Sequence, residues 1–271
     1  MKNKYLLQPP PDFFQACDVP ESDFKMDYAQ SSVLWNFVRL IYAQNYPKQP
    51  SKNPIPKILH FIWLGSDIPE RYVVNINDWT KKNPNFEIQI WTDEDAISFD
   101  MTNRELFDTT TNFGMKSDIL RYEILYKEGG VYLDTDFFCL QALDDLNTMY
   151  EFYSGIYLER EPIAGNGIIA CAPEHEIMRS CVEDMTLNIS EKIKHFSKDE
   201  QVMFLTGPMY FSSKIMKYIG NIEDGVREDI VLFPSKFFYP LPMVTSENVE
   251  SYLEPYSKAI HMWHASWQTG E

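Results

Sequence analysis

The chain reads as an α/β protein built on a mostly parallel sheet, and two stretches carry that expectation. In the first, the apolar run "KILHFIWLG" (57–65) is followed by a helical stretch near 70–82 and then by "FEIQIWTD" (86–93). Strand, helix and strand in that order predict a β-α-β unit, with parallel strands covered on both faces. In the second, "NFGMKSDILRYEILYKEGG" (112–130) places Ile119, Tyr122 and Leu125 at helical spacing and ends in a glycine suited to a C-cap. The extended run "VYLDTDFFCL" (131–140) leads out of that glycine turn as a strand, so an alternating layout covers about 57–145.

The remaining elements follow in chain order. Residues 1–30 are mixed and proline-bearing, whereas "SSVLWNFVRLIYAQNY" (31–46) sets Leu34, Phe37, Val38 and Ile41 at helical spacing behind a Ser cap. With only Arg39 on its polar side, this predicted helix suits packing against protein better than docking on a membrane. Prolines in "PKQPSKNPIP" (47–56) oppose helix and sheet alike, which makes it a linker. Beyond residue 150, "FYSGIYL" (152–158) and "GNGIIAC" (165–171) read as strands, while 174–193 and the segment after the Gly207-Pro208 turn read as helices. "AIHMWHASW" (259–267) is apolar and aromatic with two histidines.

Composition narrows the function. The 271 residues are 44% hydrophobic and 15% aromatic, enough to bury a core. A net charge of −16 argues against nucleic acid or anionic lipid as partner, since both need clustered Lys and Arg. Cys17, Cys139, Cys171 and Cys181 form no C-x-x-C pair, so neither a zinc ribbon nor a disulfide framework is indicated. No apolar run has the length of a membrane span, and the N-terminus lacks the apolar core of a signal peptide. A cytoplasmic protein is expected, with a secreted effector or peripheral membrane association as alternatives.

Chemistry concentrates at Asp134 and Asp136. On a strand, side chains two apart share a face at roughly 6–7 Å, so both carboxylates can converge on one ion. Two ionised carboxylates this close repel unless a cation sits between them, and a divalent metal fills that role. A pair for acid/base work on a glycosidic bond would come from separate elements flanking it, which two aspartates on one short stretch do not. Asp118 and Arg121, three apart on the preceding helix, share a face; the glycine turn brings them toward the same cleft, although a plain surface ion pair would look identical in sequence.

"SDILRYEILYKEGGVYLDTD" (117–136) resembles the D-x-D segment of sugar transferases related to the fungal initiating α-1,6-mannosyltransferase, the α-1,4-galactosyl- and N-acetylglucosaminyltransferases and the large glucosylating toxins. "IPKILHFIWLG" (55–65) resembles their first strand, and His261, Trp263, Ser266 and Trp267 match a C-terminal H-x-W-x-x-S-W pattern. The resemblance implies a GT-A fold over 55–271, Rossmann-like, with 1–54 as an N-terminal helical extension. It also implies a metal-dependent retaining glycosyltransferase that moves a sugar from a nucleotide-sugar donor, UDP-sugar before GDP-sugar, to a hydroxyl of a glycan or protein acceptor, as in polysaccharide biosynthesis. Carried over by residue, Asp136 would bind Mn²⁺ or Mg²⁺, and Asp134 would lie between donor and metal. Asp118 and Arg121 would hold sugar hydroxyls, Tyr132 would lie near the nucleotide, and Trp63 would stack on the base. Asn166 would line the acceptor side, and Ser266 and Trp267 would close over the diphosphate. His261 occupies the family's histidine position and is favoured for the metal or diphosphate, with His264, which stands close by, as the alternative. A glycoside or phosphoester hydrolase, and an inactive nucleotide-sugar-binding module, are the competing readings.

Overall fold

The structure is a computed structural model that describes residues 11–46, 50–158, 161–186, 194–220, 227–242 and 248–264. Three short N-terminal helices come first: α1 (Phe13–Cys17), α2 (Met26–Ser31) and α3 (Val33–Asn45). The expected single helix over 31–46 is broken at Ser32, which leaves α2 in an extended conformation and caps α3 by accepting from the Trp35 amide. The face that α3 buries is Trp35, Val38, Ile41, Tyr42 and Asn45. Trp35 is fully enclosed, edge-on to Phe24 at 5.3 Å, and these helices share one hydrophobic core with the sheet.

The β-α-β unit is present as β1 (Ile58–Ile62), α4 (Glu70–Lys82) and β2 (Glu87–Trp91), with β1 and β2 parallel. Helices α5 (Asp93–Ser98) and α6 (Arg104–Thr109), which the sequence pattern did not signal, lead into α7 (Phe113–Glu128) and β3 (Gly130–Leu133). Then follow β4 (Phe137–Cys139), α8 (Asp144–Met149), β5 (Phe152–Leu158), β6 (Pro162–Cys171), α9 (Glu176–Glu183), α10 (Lys198–Leu205), α11 (Pro208–Gly220), β7 (Ile230–Phe233) and β8 (Ala259–His261). The main sheet has the order β2-β1-β3-β6-β5-β7, in which β6 is the one strand running against the rest. The helix expected over 174–193 closes at Glu183, capped by Asp184, and 187–193 lie outside the described residues.

The larger difference concerns the D-x-D stretch. It is not one strand through 131–140: β3 ends at Leu133, and a turn closed by the Phe137 amide donating to the Asp134 carbonyl separates it from β4. Two different partners pull the chain apart there. Leu133 pairs with Ile168 of β6, whereas Phe137 pairs with His261 of β8 in a separate two-stranded sheet. The Asp134–Asp136 spacing is therefore set by a turn and not by the pleat of a strand.

The turn between α7 and β3 depends on its glycines. Gly130 has φ +94°, and a Cβ there would lie 2.8 Å from His60 Nε2 and 2.9 Å from the Ile58 carbonyl. His60 is fully buried, accepts from Trp91 Nε1 at Nδ1 and donates from Nε2 to the Gly129 carbonyl at 2.9 Å. Burial, opposed by the Gly129 carbonyl, holds His60 neutral by pulling its pKa down to about 4.

Candidate active site

A cleft of about 530 Å³ opens where β1 and β3 end, lined by Trp63, Phe113, Asp118, Arg121, Asp134, Asp136 and His261 among others. This is the carboxyl edge of the parallel strands, where open α/β sheets place their ligands. Three ligand atoms, one each from Asp134, Asp136 and His261, lie within 4.8 Å of one another. His261 Nε2 stands 3.2 Å from Asp136 Oδ1 and 3.7 Å from Asp134 Oδ2. Antiparallel pairing of β4 with β8 puts His261 directly opposite Phe137, one residue past Asp136. Burial works against charge on both Asp136 and His261, but their mutual attraction outweighs it. The carboxyl is held below the usual range and the imidazolium above it.

The ring of His264 is exposed, and this residue meets the site through its backbone instead: its N–H donates to Asp136 Oδ2 at 2.9 Å. Trp263, with φ +56°, turns the chain so that this amide can reach the carboxylate. Trp263 itself is anchored by donating from Nε1 to the Leu241 carbonyl and stands edge-on to His261 at 4.3 Å.

The second charged group is deeper. Arg121, 5% exposed, is 3.1 Å from Asp118 and 3.3 Å from Asp134, donates to the Asn166 carbonyl at 2.7 Å, and lies over the Tyr132 ring at 4.2 Å. Burial disfavours its charge, yet Tyr132, Asp134 and Asp118 outweigh it and hold its pKa above the ordinary value. The carboxylate of Asp118 accepts from Thr206 Oγ1 and Asn166 Nδ2, both at 2.8 Å, and burial pushes it up to about 6 against the pull of Arg121. Tyr132 donates to Asp134 Oδ1 at 2.7 Å. Across from it, Gly167 leaves room for that carboxylate: a Cβ there would meet Asp134 Oδ2 at 2.6 Å.

Trp63 follows directly on β1, half-buried at the cleft, tilted against Tyr72 at 4.9 Å. Asn166 lines the cleft but spends its amide on Asp118 and Tyr122. Ser266 and Trp267 lie outside the described residues. Sequence reasoning did not single out Thr206, Asn75 or Trp79 near the site. Thr206 precedes the Gly207-Pro208 turn, which was a signal of position, whereas nothing local marks the other two.

Residues 69–153 match the family described as glycosyltransferase sugar-binding region containing DXD motif. The chain is similar to the DXD glycosyltransferases. It is 30% identical over 183 residues to inositol phosphoceramide mannosyltransferase 1 of Schizosaccharomyces pombe, covering 64% of this chain and 55% of that protein. It is 28% identical over 203 residues to the uncharacterized glycosyltransferase L373 of Acanthamoeba polyphaga mimivirus, covering 72% of this chain and 76% of that one. Subversion of eukaryotic traffic protein A of Legionella pneumophila is 28% identical over 175 residues, which are 52% of this chain and 26% of that protein. The chain thus spans about half or less of the length of several curated relatives it matches. Among solved structures, PaToxG glycosyltransferase superposes with a TM-score of 0.51 at 20% identity, covering 73% of this chain and 82% of that chain. The shared fold is GT-A.

No helix among the described residues is long and apolar enough to cross a membrane.

Proposed function

We propose that this chain is a metal-dependent glycosyltransferase that moves a sugar from a nucleotide diphosphate donor, UDP-sugar before GDP-sugar, to a hydroxyl of a glycan or protein acceptor with retention at the anomeric carbon. The observation that carries this reading is the convergence of Asp134, Asp136 and His261 at one end of a cleft that also holds Asp118 and Arg121. Carboxylate oxygens suit Mn²⁺ or Mg²⁺, and the imidazole favours Mn²⁺ of the two. The side chain of Asp134 keeps 30% of its surface accessible, leaving an open side for a diphosphate. Bound there, the ion would neutralise charge gathering on the departing diphosphate.

The protein's own groups do the rest by position. Arg121, fixed by Asp118, Asp134 and the Asn166 carbonyl, offers a preorganised positive charge beside the sugar. Asp118 Oδ1 is taken up by Asn166 and Arg121, whereas Oδ2 accepts one protein hydrogen bond, from Thr206, and retains a lone pair for a sugar hydroxyl. Trp63 offers an aromatic face to the base, a contact contributing about 1–3 kcal/mol. The acceptor hydroxyl would attack on the face from which the diphosphate leaves, through an oxocarbenium-like state and without a protein nucleophile: the new C–O bond forms as the sugar–diphosphate bond breaks, and the hydroxyl proton passes to the departing diphosphate oxygen.

The test is a thermal-shift series with UDP, GDP and their sugar conjugates, each with and without Mn²⁺. A ligand at 100 times its dissociation constant adds about 2.7 kcal/mol, so a metal-dependent rise in Tm is expected for at least one of them. No shift with any combination sinks the donor site.

A further inference from the structure

The turn that carries Asp134 and Asp136 is held from outside by a side chain that belongs to neither the cleft nor the D-x-D motif. Asn75, on α4 and 2% exposed, donates from Nδ2 to the Thr135 carbonyl at 2.7 Å and to the Phe137 carbonyl at 2.5 Å. These two carbonyls bracket Asp136. Trp79, one turn further along α4, donates from Nε1 to the same Phe137 carbonyl at 2.7 Å. The acceptor oxygen of Asn75 is buried without a hydrogen-bond partner. A buried amide with an unsatisfied oxygen is a costly way to fill space, so its presence is explained by its two donors. Both face carbonyls, which also fixes the amide orientation, because the opposite rotamer would set oxygen against oxygen.

The remaining backbone tethers of the turn come from other elements. The Asp134 amide donates to the Gly167 carbonyl of β6, and the Met262 amide donates to the Asp136 carbonyl. Only the Asn75 side chain reaches both sides of Asp136 among the described residues. From this geometry we propose that Asn75 is a positioning residue for the divalent cation: by clamping the peptides on either side of Asp136, it holds that carboxylate at the spacing from Asp134 and His261 that an ion requires. The inference rests on the metal reading of the site. Groups that orient metal ligands from outside change metal affinity by about 10–100-fold when removed.

A matched control lies in the same molecule. Asn45 of α3 donates from Nδ2 to the Arg227 and Ile230 carbonyls, both at 2.7 Å, at the opposite edge of the sheet. The experiment titrates Mn²⁺ into the chain with UDP or, separately, GDP present, following the free-Mn²⁺ resonance signal, and records the Tm of every variant. Asn75→Leu is expected to weaken Mn²⁺ binding at least about tenfold. Asn45→Leu is expected to lower Tm with Mn²⁺ affinity unchanged. Asn75→Ser, which keeps one short donor, and Trp79→Phe, which removes the shared donor, are expected to fall between, and they decide the matter if Asn75→Leu does not fold. Wild-type Mn²⁺ affinity in the folded Asn75 variants, or an equal loss in Asn45→Leu, overturns the proposal. Asp136→Asn separates the two levels. If wild type and Asp136→Asn bind Mn²⁺ alike, the metal reading itself fails; if they differ while Asn75→Leu matches wild type, only the clamp fails.

Discussion

The two edges of the main sheet bury polar groups to opposite ends. At the edge where β3 and β7 begin, His60 sits neutral between Trp91 and the Gly129 carbonyl, and Asn45 bridges two carbonyls. His175 lies 3.4 Å from Asp229 there, one possible charge against one. At the other edge, the ion-pair partners of Asp118, Asp134 and Asp136 among the described residues are Arg121 and His261, so even with the imidazole charged the group carries excess negative charge. A folded chain gains nothing from such an excess, and burying it costs stability. The first edge therefore serves folding, while the second has the excess of negative charge that the proposed cation would offset.

The comparison is broken most directly at Asp136. Replacing it with Asn should lower metal-dependent donor turnover by at least about 100-fold, since a bound ion contributes several kcal/mol. Tm without metal should fall modestly, because the attraction between Asp136 and His261 and the bond from the His264 amide are weakened; wild-type turnover would show the carboxylate to be structural. The reverse is expected of Gly130→Ala. Its positive φ and the contacts with His60 and Ile58 predict a loss of about 2–4 kcal/mol in a denaturant melt, with turnover per folded molecule unchanged.

The third test uses pH. His60 has a folded pKa of about 4 against 6.5 for the free side chain, so the unfolded chain takes up the proton first. Its neutral form supports the fold fully above pH 6.5, and that support drains away as pH falls toward 4, by about 3 kcal/mol in all. Urea melts between pH 7 and 4 should show this limb, and His60→Gln should flatten it; an unchanged slope in that variant rules out His60 as the source. The smallest effect concerns the cleft wall. Trp63→Ala should weaken nucleotide binding by about 1–3 kcal/mol, read by calorimetry, with little change in Tm, since Trp63 is only half-buried.

Local sequence carried a good part of this. The three-and-four periodicity of 113–128, the two glycines and the apolar run after them specify helix, turn and strand with no outside information, because each depends on neighbours in the chain. Asp118, Arg121, Asp134 and Asp136 were visible from their types and spacing, whereas His261 entered through the family resemblance. The strand through Asp134 and Asp136 was misread for the same reason. Leu133 and Phe137 both suit extended structure, and local preference says nothing of their having different partners, β6 for one and β8 for the other.

Tertiary structure decided what depends on those distant pairings. The register of β4 on β8 turns the ring of His261 toward the aspartates and leaves His264 to contribute a backbone amide, a choice that two histidines three apart in the chain could not express alone. The docking of α4 likewise puts Asn75 against the turn, and that of the segment before α11 puts Thr206 on Asp118. Sequence alone determined the fold class and the chemistry available, since those follow from periodicity and side-chain type. Which groups meet was left to packing, because hydrogen bonds between residues far apart in the chain arise only once the core has fixed the distance between their backbones.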